Sequence, residues 1–401
     1  MLSYTVSLHH RVIYSLGDTH GRGREQISFV EDIRALNAKN TDEDIAFIQL
    51  GDLCDGFSFV IDGHTIDPES GDAFGDAFID ALCCEIHRIG NAIPKLGNIL
   101  DGSVPLVNWH KHTADRDGDV VGTYPARDLI ARRDLDEIIA LYEACKSYET
   151  LDLFSSYQAK HPDSFHVILG NHDVDLLLGL SRYGRQQKYL LLGLLGFTPD
   201  QVIAHLTRGE GELHKKHPYL AWLYERPHLA LSSDTIYMHG GPTTDLSNAL
   251  LKSKHDGFNA WLAEIDEARN RGLGEPQFRE HESFLSPDGA NNDWTLFPER
   301  LTHFLDAANR RFAAVGHSPF LDFTKGTLID LKLSTYGELF ETPAQLPPDN
   351  RLVKHDTNLK RGGQLWICKH EVGSNDWFGI DRSLRQTPLR SKTPGPPDIR
   401  P

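Results

Sequence analysis

Residues 11–21 read RVIYSLGDTHG, and residues 45–55 read IAFIQLGDLCD. Each is a short apolar run that breaks at Gly-Asp. Near-continuous apolar runs of this length are how strands buried on both faces of a parallel sheet read. Gly-Asp occurs five times, at Gly17, Gly51, Gly71, Gly75 and Gly118, and only the first two follow such a run directly. After the first turn, apolar spacing predicts a helix over residues 25–38, and the second strand follows it. Strand, Gly turn, helix and strand in that order define a layered α/β architecture.

Three further strands end in the same way. Residues 165–169 run into Gly170-Asn171-His172-Asp173, residues 235–238 into His239-Gly240-Gly241, and residues 312–315 into Gly316-His317-Ser318. In an open α/β sheet the carboxyl ends of the strands form the ligand crevice. Five strand ends therefore direct Asp18, His20, Asp52, Asn171, His172, His239 and His317 to one place. Carboxylate, imidazole and amide oxygen together suit borderline divalent ions such as Mn, Fe, Zn or Ni. Two such ions about 3.5–4 Å apart clamp a phosphate and activate water between them.

The order D-x-H, G-D-x-x-D, G-N-H-D, H-G-G, G-H resembles the calcineurin-like metallophosphoesterase superfamily, most closely its phosphoprotein phosphatase branch and the bacterial relatives. The matched blocks span residues 17–318, most of the chain. The resemblance implies an αββα sandwich and two divalent ions, Mn first among them. It places Asp18 and His20 on the first ion, Asp52 as the bridge, and Asn171, His239 and His317 on the second. It makes His172 the general acid that protonates the leaving oxygen and Asp55 the residue that orients it. The reaction implied is phosphomonoester hydrolysis by direct attack of a metal-bridging hydroxide, and the substrate a phosphorylated protein or peptide. A nucleotide or diadenosine-polyphosphate phosphohydrolase shares the same blocks. An inactive binding module on this fold is the third reading, against which the full ligand set speaks.

Two departures from the branch stand out. Its second block normally continues D-R-G, with an arginine that grips phosphate, whereas this chain reads Asp55-Gly56-Phe57. Arg22 and Arg300 are the candidate substitutes, with Arg310 and Arg311 also ahead of the last block. The separation between the second and third blocks also exceeds what a minimal core requires. Residues 57–162 read as a largely helical insertion, with helical spacing over 74–93 and 126–146 and a small hairpin at 57–66. Residues 94–125, rich in Gly, Asp and His, read as loops. Later helices are expected over 175–205, 248–269 and 298–311, and further strands near 327–333 and 364–369. The catalytic domain thus runs over 1–383, and the Pro-rich residues 384–401 read as a disordered tail.

Composition bounds the alternatives. Of 401 residues, 39% are hydrophobic and 24% charged, with 57 acidic against 41 basic residues and a net charge of −16. Such a surface repels phosphate backbones, so bulk nucleic-acid binding is disfavoured. Divalent ions at the strand ends would outweigh Asp18 and Asp52 and draw in an anionic substrate all the same. The five cysteines lack metal-binding spacing and an even count, which argues against a disulfide framework. No secretory leader is read at the start, and the longest apolar run, residues 189–197, falls short of the roughly 20 residues that cross a bilayer. A cytoplasmic location is the resulting expectation.

Overall fold

The computed structural model describes residues 4–41, 43–54, 60–61, 64–65, 76–101, 103–107, 120–125, 128, 130–131, 133, 135–179, 185–208, 212–240, 258–263, 266–267, 269–271, 298–317, 351–354 and 365–388. The chain opens with β1 (Thr5–Ser7) and β2 (Val12–Leu16), then α1 (Gly23–Asn40) and β3 (Ile45–Gln49). The pairs β4 (Val60–Ile61) with β5 (His64–Thr65) and β6 (Ser103–Val107) with β7 (Val120–Pro125) are antiparallel. Around them lie α2 (Asp76–Ala92), α3 (Pro94–Leu100) and the long α4 (Leu135–Lys160). β8 (Phe165–Val167) leads into α5 (Asn171–Leu178), followed by α6 (Arg185–Leu194), α7 (Pro199–Arg208) and α8 (Pro218–Tyr224). The remaining elements are β9 (Leu229–Leu231), β10 (Thr235–Met238), α9 (Pro298–Ala307), β11 (Phe312–Val315), β12 (Leu352–Lys354), β13 (Ile367–Glu371), β14 (Trp377–Ile380) and β15 (Gln386–Pro388).

The strands form two main sheets, ordered β15-β14-β13-β2-β3-β8 and β1-β9-β10-β11-β12. In the first, β2, β3 and β8 are mutually parallel; in the second, β10 and β11 are parallel. Each of the five ligand-bearing strands thus runs parallel to at least one other of the five in its own sheet, while β2 and β10 also pair antiparallel with β13 and β9. Every residue of β2, β3, β10 and β11 is buried. Alternation along these strands divides the core. Ile13, Ile48, Cys368 and Trp377 of one sheet meet Ala230, Tyr237, Phe312 and Ala314 of the other in a shared cluster. The intervening Val12, Tyr14, Phe47 and Phe165 instead join Phe29 and Val30 of α1 and Leu151 and Phe154 of α4. Period-two side-chain alternation makes that division unavoidable once both faces are covered.

Several expectations change. Residues 94–125, read as loops, contain α3, β6 and β7, so residues 57–162, read as largely helical, hold two strand pairs as well as helices. Pro94 sits at the first helical position of α3, where its fixed φ and missing N–H suit a helix start. Part of the expected tail, Gln386–Pro388, pairs with Phe378–Ile380. The expected strand at 327–333 lies outside the described residues, and β12 at Leu352–Lys354, unforeseen, borders β11.

Candidate metal centre

Each ligand-bearing turn forms where a buried strand meets glycine. His20, Asp52 and His317 have φ of 43°, 53° and 66°, three of the six non-glycine residues with positive φ among the described residues. Left-handed conformations cost side-chain-bearing residues of order 1–3 kcal/mol and persist only where their surroundings over-determine them. Those surroundings are visible. The N–H groups of Thr19 and His20 donate to the Asp52 carbonyl at 3.1 and 2.8 Å, and Gly21 N–H donates to Leu53 O at 3.1 Å. Close approach needs glycine at two further points: a Cβ at Gly170 would overlap Asp52, and one at Gly316 would overlap Asp18.

The second sheet closes the site from the other side. The Asp18 carboxylate accepts the His317 N–H at 3.0 and 3.1 Å, and Asp52 Oδ1 accepts the His172 N–H at 3.0 Å from the first turn of α5. Asp173 spans two blocks: Oδ1 accepts from Leu53 N–H at 3.0 Å and Cys54 N–H at 3.3 Å, and Oδ2 from Gly170 N–H at 3.0 Å. Helix first-turn N–H groups lack helical partners and favour negative charge, which suits Asp52, whereas burial and the Asp52 charge push the Asp173 carboxyl up to about 7.

The donor atoms converge. His239 Nδ1 donates to Leu50 O at 2.7 Å, so a neutral His239 presents a lone pair at Nε2. That atom faces Asn171 Oδ1 at 2.9 Å, Asp52 Oδ2 at 3.4 Å and His317 Nδ1 at 3.2 Å, while His317 Nδ1 lies 3.1 Å from Asn171 Oδ1. Metal–ligand bonds of about 2.0–2.1 Å give ligand–ligand edges of about 3.0–3.4 Å, so these residues fit a divalent ion. Burial pushes the His239 imidazolium down, but Asp52 and Asp18 outweigh it and hold its pKa up to about 10. Burial likewise raises the Asp52 carboxyl, yet His239, His172 and His20 hold it well below the usual carboxylate range.

Two overlapping groups share Asp52. One is His20, Asp52 and His172, the other Asp52, His239 and His317, each with ligand atoms within 4.8 Å of one another. His20 Nε2 lies 3.8 Å from Asp18 Oδ2 and 3.9 Å from Asp52 Oδ2, and His172 Nε2 lies 3.8 Å from Asp52 Oδ2. The structure thus brings Asp18, His20, Asp52, Asn171, His172, His239 and His317 together. His172 stands close enough to Asp52 to ligate as well as to donate a proton.

The arginines divide. Arg22 caps α1 two residues after His20, with Nε 3.6 Å from Glu25 Oε1. Arg310 and Arg311 are excluded as phosphate grips because they precede β11, at the end of the strand away from His317. There Arg311 donates to Gly373 O at 2.9 Å, and its N–H donates to Asp234 O at 2.7 Å. Of Arg300 the structure describes the backbone alone, in the first turn of α9, and Asp55 lies outside the described residues.

Gln49 and Gln26, both fully buried beside the ligand turns, carry no ligand chemistry and were not anticipated. The sequence held one signal for Gln49. An amide ends an otherwise apolar strand immediately before the second block, and a buried amide demands partners.

No family model matches the sequence, and no curated protein matches it. Among solved structures, a mutant of a cold-active protein tyrosine phosphatase is 13% identical, with 97% of this chain and 83% of that chain covered at a TM-score of 0.47. A second structure of a cold-active protein tyrosine phosphatase covers 97% and 81% at 13% identity and a TM-score of 0.47. A protein serine/threonine phosphatase from Saccharomyces cerevisiae is also 13% identical, covering 92% of this chain and 78% of that chain at a TM-score of 0.39.

Proposed function

We propose that the protein is a two-metal-dependent phosphomonoester hydrolase built on the calcineurin-like αββα sandwich, acting on phosphorylated protein or peptide. One observation carries the reading: His239 Nε2, Asn171 Oδ1, His317 Nδ1 and Asp52 Oδ2 face one another at 2.9–3.4 Å around a position that calls for positive charge. Asp18 and His20 would hold one ion and Asn171, His239 and His317 the other, with Asp52 common to both groups. When bound, the ions supply charge neutralisation for phosphate and an acidified water.

The chain's own residues supply the rest. His172 protonates the leaving oxygen, general acid catalysis worth about 10²–10⁴-fold. Asp55 orients it. Arg22, on the turn after His20, is placed by its position in the chain to grip a phosphate oxygen, with Arg300 the second candidate. The bidentate guanidinium fork matches phosphate geometry. Cys54, the one thiol within the blocks, is buried, and in this reading water attacks phosphorus directly, so no phosphoenzyme forms.

Elemental analysis of the purified protein should find divalent metal, Mn foremost, and an aryl phosphate should be hydrolysed only with metal present. In a panel of phosphopeptides, ATP, ADP and diadenosine tetraphosphate, at least one phosphopeptide should show the highest kcat/KM. Dinucleotides cleaved tenfold more efficiently than every phosphopeptide would replace this substrate class with the nucleotide one. A metal-free, inactive protein would leave only a binding role.

A further inference from the structure

The turns that carry Asp18, His20 and Asp52 are laced together by a set of uncharged side chains. Gln49, the last residue of β3, sends Nε2 to three acceptors: Gly17 O at 3.2 Å, Thr19 Oγ1 at 2.9 Å and Gly51 O at 2.6 Å. Its Oε1 accepts the Gly51 N–H at 2.8 Å. Thr19 passes the chain on, donating its hydroxyl to Gln26 Oε1 at 2.7 Å. Gln26, on α1, then donates Nε2 to Gly17 O at 3.2 Å and Asp18 O at 3.4 Å. All three residues are fully buried, with 0% exposure.

The layout is more than satisfied core polarity. Each side-chain donor and acceptor of the three residues has a partner, and nearly every partner outside the trio is a backbone atom of a ligand-bearing turn. An apolar residue would fill the end of β3 with no desolvation cost, as Ile45, Phe47 and Ile48 fill the rest of it. An amide there is useful only for what it ties, and hydrogen bonds in a dry interior polarise one another. The network is also neutral, so it holds the turns without adding charge beside the carboxylates.

We propose that Gln49, Thr19 and Gln26 form a positioning unit that fixes the Asp18–His20 turn against the Asp52 turn and thereby sets how tightly the centre holds its ions. The inference rests on the metal-centre reading above. None of the three touches an ion or substrate; they act through Asp18, His20 and Asp52. Outer partners that orient ligands are typically worth 10–100-fold in metal affinity.

The test uses the full chain and Mn²⁺ binding followed by calorimetry, well below the melting temperature of each variant. Thr19→Val keeps shape and removes the hydroxyl, leaving Gln26 Oε1 without its donor and Gln49 Nε2 without one of its three acceptors; Thr19→Ser restores the hydroxyl. Gln49→Leu removes the central donor. Asp234→Asn, a destabilising change at the far end of the sheets, controls for stability alone. Thr19→Val and Gln49→Leu should weaken Mn²⁺ binding at least tenfold, Thr19→Ser should bind within about threefold of wild type, and Asp234→Asn should bind normally despite a lower Tm. Wild-type Mn²⁺ affinity in Thr19→Val overturns the positioning role, whatever happens to Tm. Equal weakening in Asp234→Asn overturns it too, by making affinity a readout of stability. A wild-type protein that binds no Mn²⁺ defeats the metal-centre reading itself, a result separate from either of these.

Discussion

Two buried acid–histidine pairs bridge the sheets at opposite ends, and they differ in whether the protein completes them. At the end away from the ligand turns, Asp234, just before β10, faces His370 of β13, with Nε2 3.1 Å from Oδ2. The same carboxylate accepts from Gly373 N–H at 2.6 Å, Ser232 Oγ at 3.0 Å and Thr235 Oγ1 at 3.0 Å. His370 Nδ1 lies 3.3 Å from Asp376 O, and its ring stacks on Trp377 at 4.2 Å between centroids. Donors from three residues besides the imidazole thus converge on the Asp234 carboxylate. At the ligand end, Asp52, Asn171, His239 and His317 place acceptor against acceptor, with Asp52 and His317 held at positive φ. The first pair is a closed inter-sheet tie. The second, in the proposed reading, is completed by a cation, and residue content alone does not separate them, since each holds aspartate and histidine in full burial.

The comparison breaks most sharply at Asp52. Asp52→Asn removes the charge that both ligand groups share. Turnover of an aryl phosphate should fall at least about a thousandfold, equivalent to about 4 kcal/mol, with bound metal lost in parallel. Near-wild-type turnover in steady-state assays would show the ligand end to be a closed tie like the other. His172→Asn should give a smaller effect of a different kind, about 10²–10⁴-fold slower on alkyl phosphates with both ions retained. The deficit should shrink with good leaving groups, which need little protonation. If elemental analysis instead finds one ion gone, His172 is a ligand in the group it forms with His20 and Asp52.

At the closed end the effect should be on stability alone. Burial raises the Asp234 carboxyl, but the His370 hydrogen bond and charge, with Gly373 and Ser232, bring it down to about 2. A carboxyl depressed in the folded state stabilises above its unfolded pKa of about 4, and that contribution is lost as pH falls through about 2. Asp234→Asn should therefore cost about 1–3 kcal/mol at neutral pH while leaving turnover unchanged. Chemical denaturation between pH 5 and pH 2 should show the variant losing less stability than wild type as acid is added. Parallel curves would mean that the Asp234 charge does not contribute.

Much of this was legible in the chain because both signals are local. Apolar runs that stop at glycine mark strands and their ends, and strand direction then gathers the polar residues after those ends. That logic located Asp18, His20, Asp52, Asn171, His172, His239 and His317, and the structure brings all seven together. It failed for Arg310 and Arg311, because nearness in sequence to His317 was taken as nearness in space, while β11 carries the two arginines to the opposite end. It failed for residues 94–125, where Gly and Asp content obscured the strands β6 and β7, which pair across a long connection.

The sequence by itself therefore determined the layered α/β plan, the burial of the central strands and the set of residues offered to one crevice, since each depends on periodicity and on glycine within a few positions. Only the tertiary structure decided which partners those residues face. That Asp173 ties the Leu53–Cys54 turn to Gly170, that Gln49 and Gln26 meet across Thr19, and that Asp234 closes on His370 are contacts between segments far apart in the chain. Hydrogen bonds and charges act over a few ångströms of space whatever the separation along the backbone. The same residue types thus became a closed tie at one end of the sheets and a candidate cation centre at the other.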